Sequence, residues 1–568
     1  MTSDTVIQPP TPDLGVARHG AGGGSPPPAI RPRLITELID HAVANHPMRV
    51  AIDFLGRRWT YSEIGSLVDR ATRGLQDIGV GPDTRFGLCL PNTPYFVILY
   101  FAALKAGATV VNFNPLYVEH ELRHQIRDSG TTVIAVPDLK IVHQKVAAVA
   151  EDSGLARIIV CPMADILPRF QSIGFRLFKH ADHAVVPHDE RHLSFRALIA
   201  SDAAPAPVTK APDDVAVLQY TGGTTGVPKG AMLTHANLTA NSTQMVLHAG
   251  GIPAEQDRVL GVLPLFHVFA LTTVLNFSVD TAAEMILLPR FEIRQLLKTI
   301  MRARATQLLA VPTMLTAINK AAEHHKVHFE SLRYSVSGGA PLPFDVRSKF
   351  ETLTQCPVVE GYGLSESSPI LTCNPLDGRV IKDNSAGIAF PETIIEIRSL
   401  DDPHMLMPLG ERGEVCARGP QIMKGYWGRP DETEKVFVDG ALRTGDVGYL
   451  DADGYLFLVD RIKDVIIAGG YNIYPRVIEE ALYDHPAIAE AVVIGVKDEY
   501  RGQAPKAFVV LRPGHPADID QIQEFLATRL SKIEMPREIE IRESLPKTLI
   551  GKLSKKELIA EEERKSGR

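Results

Sequence analysis

The stretch Tyr220-Thr-Gly-Gly-Thr-Thr-Gly-Val-Pro-Lys-Gly-Ala-Met-Leu-Thr-His235 is a loop composed to hold phosphate. Gly222, Gly223, Gly226 and Gly230 free the backbone to take positive φ and turn its N–H groups inward. Thr221, Thr224 and Thr225 add hydroxyl donors, and Lys229 adds a positive charge. A Walker A loop is excluded, because it needs Gly directly before the lysine and Ser or Thr directly after, whereas Lys229 lies between Pro228 and Gly230. The P-loop NTPase fold loses its main support. An isolated run of Gly and Thr reads equally well as a surface loop, so the decision rests on what surrounds it.

Directly upstream, Val215-Ala-Val-Leu-Gln-Tyr220 reads as a strand feeding the loop, and Thr132-Val-Ile-Ala-Val136 and Val259-Leu-Gly-Val-Leu263 are further strand-like runs. Helical periodicity alternates with them, starting with Leu34, Ile35, Leu38, Ile39 and Ala42 on one face and continuing to about residue 450. The pattern predicts an α/β body over residues 31–460. The turn Asp451-Ala-Asp-Gly454, the run Tyr455-Leu-Phe-Leu-Val459 and the polar joint Asp460-Arg-Ile-Lys-Asp464 lead to a change of pattern. Pro475 opens a helix with Val477, Ile478, Ala481 and Leu482 on one face, followed by strand-like Ala491–Ile494 and Ala507–Leu511 and a helix carrying Ile519, Ile522 and Leu526. A compact α+β domain over residues 461–568 is expected. Residues 1–30, with Gly20-Ala-Gly-Gly-Gly-Ser-Pro-Pro-Pro28, offer too little apolar surface to offset ordering entropy and read as a disordered tail.

The 568 residues carry a net charge of −7, so no global positive field draws the chain to nucleic acid. Cys89, Cys161, Cys356, Cys373 and Cys416 are scattered and never form CxxC, which argues against a disulfide framework and a zinc site and fits a reducing cytoplasm. No run reaches the ~18–20 apolar residues of a spanning helix, and no signal peptide opens the chain. A cytoplasmic protein is expected, with peripheral contact on the inner face of the cell membrane as an option. Pro168-Arg-Phe-Gln-Ser-Ile-Gly-Phe-Arg-Leu-Phe-Lys-His180, which mixes cations with large apolar side chains, is the segment suited to such contact, and it reads equally as a buried connector.

If a nucleotide's phosphates sit on the glycine loop, its base and ribose need sites of their own, and Glu360-Gly-Tyr-Gly-Leu-Ser-Glu-Ser367 supplies candidates. Tyr362, between Gly361 and Gly363, can present a ring face to adenine, Ser365 can hydrogen-bond a phosphate, and Glu366 can carry Mg2+. With this second motif the chain resembles the adenylate-forming ligases, the superfamily of acyl-CoA synthetases, peptide-synthetase adenylation domains and luciferases, whose signature loop reads like residues 220–230. The resemblance covers nearly the whole chain after residue 30, through separate motifs in the family's order. The family's usual threonine is Ser365 here, a change that keeps the hydroxyl.

The resemblance implies a large N-terminal adenylate-forming domain and a small mobile C-terminal domain, with Mg2+ as cofactor and ATP and CoA as co-substrates. It places Ser337-Gly-Gly-Ala-Pro341, including Gly339 and Ala340, along the adenine and acyl pocket, and Glu360 beside the nucleotide. Asp446 of Arg443-Thr-Gly-Asp446 takes the ribose hydroxyls, Arg461 makes a second ribose or phosphate contact, and Thr221 and Glu366 face the metal. Attack of a carboxylate on an α-phosphate joins two anions and needs no proton transfer, so positive charge and positioning must do the catalysis. Lys229 and Lys552 match the family's lysines, although Lys555 and Lys556 make Lys552 part of a basic tail that also reads as solvated. For the thiol step the family turns its small domain about the position of Lys463, bringing the loop matching Ala468-Gly-Gly-Tyr-Asn-Ile473 to the CoA tunnel with Gly469, Gly470 and Tyr471. His267 in Pro264-Leu-Phe-His-Val-Phe-Ala-Leu271 matches the aromatic motif near carboxylate and tunnel, and a packed core histidine is the other reading.

Peptide-synthetase domains hold an amino group with an aspartate beside that aromatic motif, whereas this stretch is apolar, so an amino acid substrate is disfavoured. Sixteen residues follow Lys552, so no carrier domain is expected in the chain. Leu263-Pro-Leu-Phe-His-Val-Phe-Ala-Leu-Thr272, residues 360–366, 443–450 and 469–480 read like bacterial long-chain fatty-acyl-CoA synthetases. A long- or medium-chain fatty acid is the expected substrate, with an aryl or dicarboxylic acid, or loading of a carrier protein, as alternatives. A non-catalytic nucleotide-binding module would need no lysine on a swinging domain, and no GxSxG elbow surrounds Ser337 or Ser365 to suggest a hydrolase.

Overall fold

The computed structural model describes residues 14–18, 28–178, 182–221, 228–249, 257–323, 327–376, 379–468, 471–498, 501–548 and 553–566. The run predicted to feed the loop is the strand Val215–Tyr220, and its near-continuous burial shows why it is apolar throughout. It lies in a seven-stranded sheet that continues through Thr109–Asn112, Arg85–Leu88, Val133–Pro137, Arg157–Cys161 and His192–Ser194. These strands are parallel, and a parallel sheet covered on both faces favours uninterrupted apolar runs such as Val133–Pro137. Only the edge strand Gly230–Thr234 turns back antiparallel, so the glycine loop is the link of a two-stranded ribbon at that edge.

A second, fifteen-stranded sheet changes character along its width. Val50–Phe54, Glu284–Leu287, Arg258–Gly261, Gln307–Ala310, Tyr334–Ser337 and Val358–Gly363 pair in parallel. Beyond Val358–Gly363 the pairing is antiparallel, through Ile370–Cys373, Gly387–Ala389, Tyr455–Arg461, Ala441–Leu450, Gly413–Arg418 and Ile394–Arg398. The helix Pro94–Lys105 has no polar face, and Pro94 to Leu104 are all buried, as expected of a helix enclosed by the core. The expected first helix is Ile35–Asn45, with Ile35, Leu38, Ile39 and Ala42 inward.

The C-terminal region forms its own five-stranded sheet of Ile466–Ala468, Tyr471–Ile473, Gly502–Leu511, Ile488–Asp498 and Glu538–Ile541. Helices Pro475–Tyr483 and Ile519–Ala527 bury Ile478, Ala481, Leu482, Ile522 and Leu526 against it, whereas Ile519 stays largely outside. The large N-terminal and smaller C-terminal domains expected from the sequence are thus both present.

Two expectations are corrected. Val16–Arg18, assigned to a disordered tail, is a strand paired with Ile394–Glu396, and Gly15 donates its N–H to the Met407 carbonyl at 2.7 Å. The sheet edge supplies main-chain partners that the segment's own composition could not. Arg461, counted with the small domain, pairs with Asp446 in the large sheet, because strand Tyr455–Arg461 runs through the assigned boundary.

Candidate active site

The glycine-rich segment leaves the sheet at Tyr220 and returns at Gly230, and both ends are clamped. Thr221 donates its backbone N–H to the Lys229 carbonyl at 2.9 Å. A Cβ on Gly230 would stand 3.1 Å from the Tyr220 ring, so glycine is what lets the strands close here. The Tyr220 hydroxyl donates to Asp128 at 2.6 Å, and Arg429 donates to the other oxygen of the same carboxylate at 2.9 Å. The predicted ligands Gly222, Gly223, Thr224, Thr225 and Gly226 lie outside the described residues, as do Gly469, Gly470 and Lys552.

Residues 423–427 run beside the edge strand: Met232 donates to Gly425 at 2.8 Å, Lys424 to Met232 at 2.9 Å and Trp427 to Gly230 at 2.8 Å. This pairing places the Tyr426 ring 5.1 Å from the Lys229 ammonium and lets the Tyr426 hydroxyl donate to Glu366 Oε1 at 2.7 Å. The Lys229 ammonium forms an ion pair with Glu432, a contact that holds the Glu432 carboxyl below its usual range. Lysine and carboxylate, from loop and motif, are therefore oriented by one tyrosine. Among the described residues no group of three or more His, Cys, Asp or Glu side chains gathers as a metal site. Mg2+ commonly takes one or two carboxylates and completes its shell with water and phosphate oxygens, and Glu366, with one oxygen fixed by Tyr426, fits that donor set.

Tyr362 and Asp446, assigned separately to adenine and ribose, form one unit. The Tyr362 hydroxyl donates to Asp446 Oδ2 at 2.6 Å, and Arg461 Nε lies 3.0 Å from Oδ1. Strand pairing of Asp446 with Arg461 sets this contact, and Asp446 is only 5% exposed. Burial, and then the Asp446 charge, push the Tyr362 hydroxyl well above its usual range. Burial lowers the Arg461 guanidinium, but Asp446, Tyr362, Asp464 and Glu366 together raise it, which places the Glu366 carboxylate within the same electrostatic neighbourhood.

Glu360 precedes them on the strand Val358–Gly363 and accepts the Leu342 N–H at 3.1 Å. Burial pushes its carboxyl up to about 7, against the opposing pull of that amide and of Arg476 and Arg347. Gly363 approaches Pro369 so closely that a Cβ would sit 1.9 Å from its carbonyl oxygen, which is how the chain turns back toward Ser365 and Glu366 on the short helix Ser365–Ser367. Gly339, at φ +80°, turns the chain after strand Tyr334–Ser337, with Ala340 next to it. The Phe269 ring lies 3.1 Å from where a Gly338 Cβ would stand, and His267 Nδ1 accepts the Phe269 N–H at 3.3 Å. Through Phe269, the His267 turn is packed on the segment expected to line the acyl pocket.

Lys463 lies in the turn Ile462–Asp464 directly after Arg461, and Tyr471 is an exposed residue of the small sheet's hairpin, opposite Ala468. Lys555, read as a solvated neighbour of Lys552, is instead an anchor: its ammonium lies 3.2 Å from Glu479 and 4.0 Å from Asp464. Burial would lower it, yet the carboxylates of Glu479, Asp460 and Asp464 raise it. Lys547 and Leu553 form a bridge pair. Sequence reasoning missed Tyr426, Glu432, Asp128 and Lys555. The aromatic pair in Gly425-Tyr-Trp-Gly428 was the one local signal for the first of these.

A glycine-rich segment at a sheet edge, a tyrosine–aspartate–arginine unit and the Glu366 carboxylate thus lie on the large domain, which is followed by a small one. Residues 39–427 match the AMP-binding enzyme family and residues 477–552 match the AMP-binding enzyme C-terminal domain, so the chain belongs to the AMP-binding enzyme family. It is 39% identical over 537 residues to a long-chain-fatty-acid–CoA ligase of Bacillus subtilis (strain 168), covering 93% of this chain and 95% of that protein. A feruloyl-CoA synthase of Amycolatopsis sp is 34% identical over 513 residues, 90% of this chain and 96% of its own. The solved structure of o-succinylbenzoate coenzyme A synthetase from Bacillus subtilis with ATP and magnesium ion superposes with a TM-score of 0.76 at 27% identity, covering 92% of this chain and 99% of that one. The chain is accordingly an AMP-forming acid–CoA ligase.

Proposed function

We propose that this enzyme activates a fatty acid of long or medium chain. The carboxylate attacks the α-phosphate of ATP, the bond to pyrophosphate breaks, and the acyl-adenylate remains. The CoA sulfur then attacks the acyl carbon and AMP leaves. The observation that carries the reading is the gathering of five residues from four separate stretches of sequence into two contact groups, Lys229 and Glu366 on Tyr426, and Tyr362 and Arg461 on Asp446, with the Glu366 charge acting on Arg461. Full-length similarity to a ligase named for long-chain fatty acids supports the acid, as does the apolar setting of His267. An aryl acid is the second reading, supported by the similarity to the feruloyl enzyme.

In this proposal Thr221, Gly222, Gly223, Thr224, Thr225, Gly226 and Lys229 take the phosphates, with Ser365 beside them. Gly339, Ala340, Glu360, Gly361, Tyr362 and Gly363 border the base, and Asp446 with Arg461 takes the ribose. Mg2+, held by Glu366 with Thr221 at hand, neutralises phosphate charge when bound. Lys552 brings its charge to the carboxylate and α-phosphate, and His267 stands where acid and thiol meet. Lys463 is the hinge between residues 31–461 and the small domain, whose Gly469, Gly470 and Tyr471 border the CoA tunnel.

Acids of graded chain length and aryl acids, each supplied with ATP and CoA, test this directly. AMP and pyrophosphate should form in equal amounts, with the highest kcat/KM on a fatty acid; ADP as the stoichiometric product would sink the mechanism, and a preference for ferulate-like acids would favour the second reading. Glu366→Ala should slow adenylation by about 10²-fold, since several kcal/mol of charge neutralisation is lost, with partial rescue by excess Mg2+. Unchanged rates across magnesium concentrations would remove Glu366 from the site.

A further inference from the structure

The helix Arg169–Phe178 is turned the opposite way from an ordinary surface helix. Phe170, Ile173 and Leu177, at positions i, i+3 and i+7, form one apolar face, and they are 91%, 58% and 68% exposed. The core is met from the other side by Phe175, whose ring lies edge-on to His183 at 4.8 Å. His183 in turn bridges to Leu139, and two residues beyond each partner Val185 and Ile141 are exposed at 93% and 67%. Phe170, Ile173, Leu177, Val185 and Ile141 are thus among the most exposed large apolar side chains of the described residues, on this helix and on the segments joined to it through Phe175 and His183.

The charge beside this face is in positive excess, with Asp138, 3.4 Å from His183, as a carboxylate nearby besides Asp165. Residues 166–178 contain no carboxylate. Arg176 and Arg196 share the single carboxylate of Asp165, Arg57 binds the Asp165 carbonyl, and Arg169 stands exposed at the start of the helix. An apolar stripe edged by an excess of guanidinium groups complements a surface that is hydrocarbon below and anionic phosphate above. We propose that the helix Arg169–Phe178 docks the protein on an anionic lipid bilayer, with Phe170, Ile173 and Leu177 entering the acyl boundary and the arginines meeting lipid phosphates. This placement stands independently of which acid the enzyme prefers.

Flotation of the full-length protein tests it, with vesicles of phosphatidylglycerol and phosphatidylcholine in equal parts compared with vesicles of phosphatidylcholine alone. The protein should float with the mixed vesicles and only weakly with the neutral ones. The triple substitution Phe170→Ser, Ile173→Ser, Leu177→Ser should lower partition onto the mixed vesicles by about 100-fold or more. Arg169→Glu should lower it by about tenfold and leave the apolar face intact. Melting temperature and turnover of a water-soluble acid should stay unchanged in both variants, because the altered side chains are exposed. Failure of the protein to float with anionic vesicles, or equal flotation of the triple variant, overturns the proposal. So does a triple variant that converts a dimer to a monomer in sedimentation while flotation is unaffected, since the face would then join two copies of this chain.

Discussion

Lys552→Ala is expected to lose about 10²–10³-fold in the adenylation half-reaction while retaining the thiol half-reaction on supplied acyl-adenylate. The first step brings a carboxylate against a phosphate, and their repulsion is relieved only by cations aimed at the reacting oxygens. Lys555 is anchored to Glu479 and Asp464, and Lys547 forms a bridge pair with Leu553, so the described residues on either side of position 552 belong to the small domain. Lys463→Pro should give the reverse pattern, because proline fixes φ in the turn Ile462–Asp464 and hampers rotation once the adenylate has formed. Pyrophosphate exchange measures the first half-reaction and thioester formation from supplied adenylate the second. Equal losses in both assays for both variants would falsify the division of labour between two domain orientations.

Asp446→Ala is expected to reduce kcat/KM for ATP by about 10²–10⁴-fold, because two hydrogen bonds from ribose hydroxyls to a charged acceptor are each worth roughly 1.5–3 kcal/mol. The same change strips Tyr362 of its acceptor and Arg461 of its counter-ion. Arg461 is 39% exposed, so solvent screens much of the unbalanced charge, and a stability loss of about 1–2 kcal/mol is expected rather than that of a fully buried pair. The ribose assignment is read most directly with 2′,3′-dideoxy-ATP. The native enzyme should strongly prefer ATP over this analogue, and the variant should scarcely distinguish them; the same preference in both proteins would take Asp446 away from the ribose.

Local chemistry explains what could be read before the fold was known. Val215–Tyr220, Pro475–Tyr483 and Ile519–Ala527 announce themselves because burial dictates their apolar spacing and Pro475 fixes a helix start. Tyr362, Glu366 and Asp446 stand in stretches whose glycines and hydroxyls match a known pattern. What stayed hidden depends on pairings between distant segments. The strand Val16–Arg18 exists because Ile394–Arg398 offers an edge, and Tyr426 reaches Glu366 only because residues 423–427 align with Gly230–Thr234. The union of Tyr362 with Asp446 follows from strand order in the long sheet, which no local spacing encodes.

Lys229 sits over Tyr426 and against Glu432, and this makes its recruitment a contest between two anions. If Lys229 takes a phosphate as proposed, the ammonium leaves a carboxylate already bound to it, so part of that attraction is spent on the exchange. Glu432 thereby acts as an internal rival whose strength depends on its own charge. Under the proposed function, an anion that takes the lysine therefore has to compete with this carboxylate.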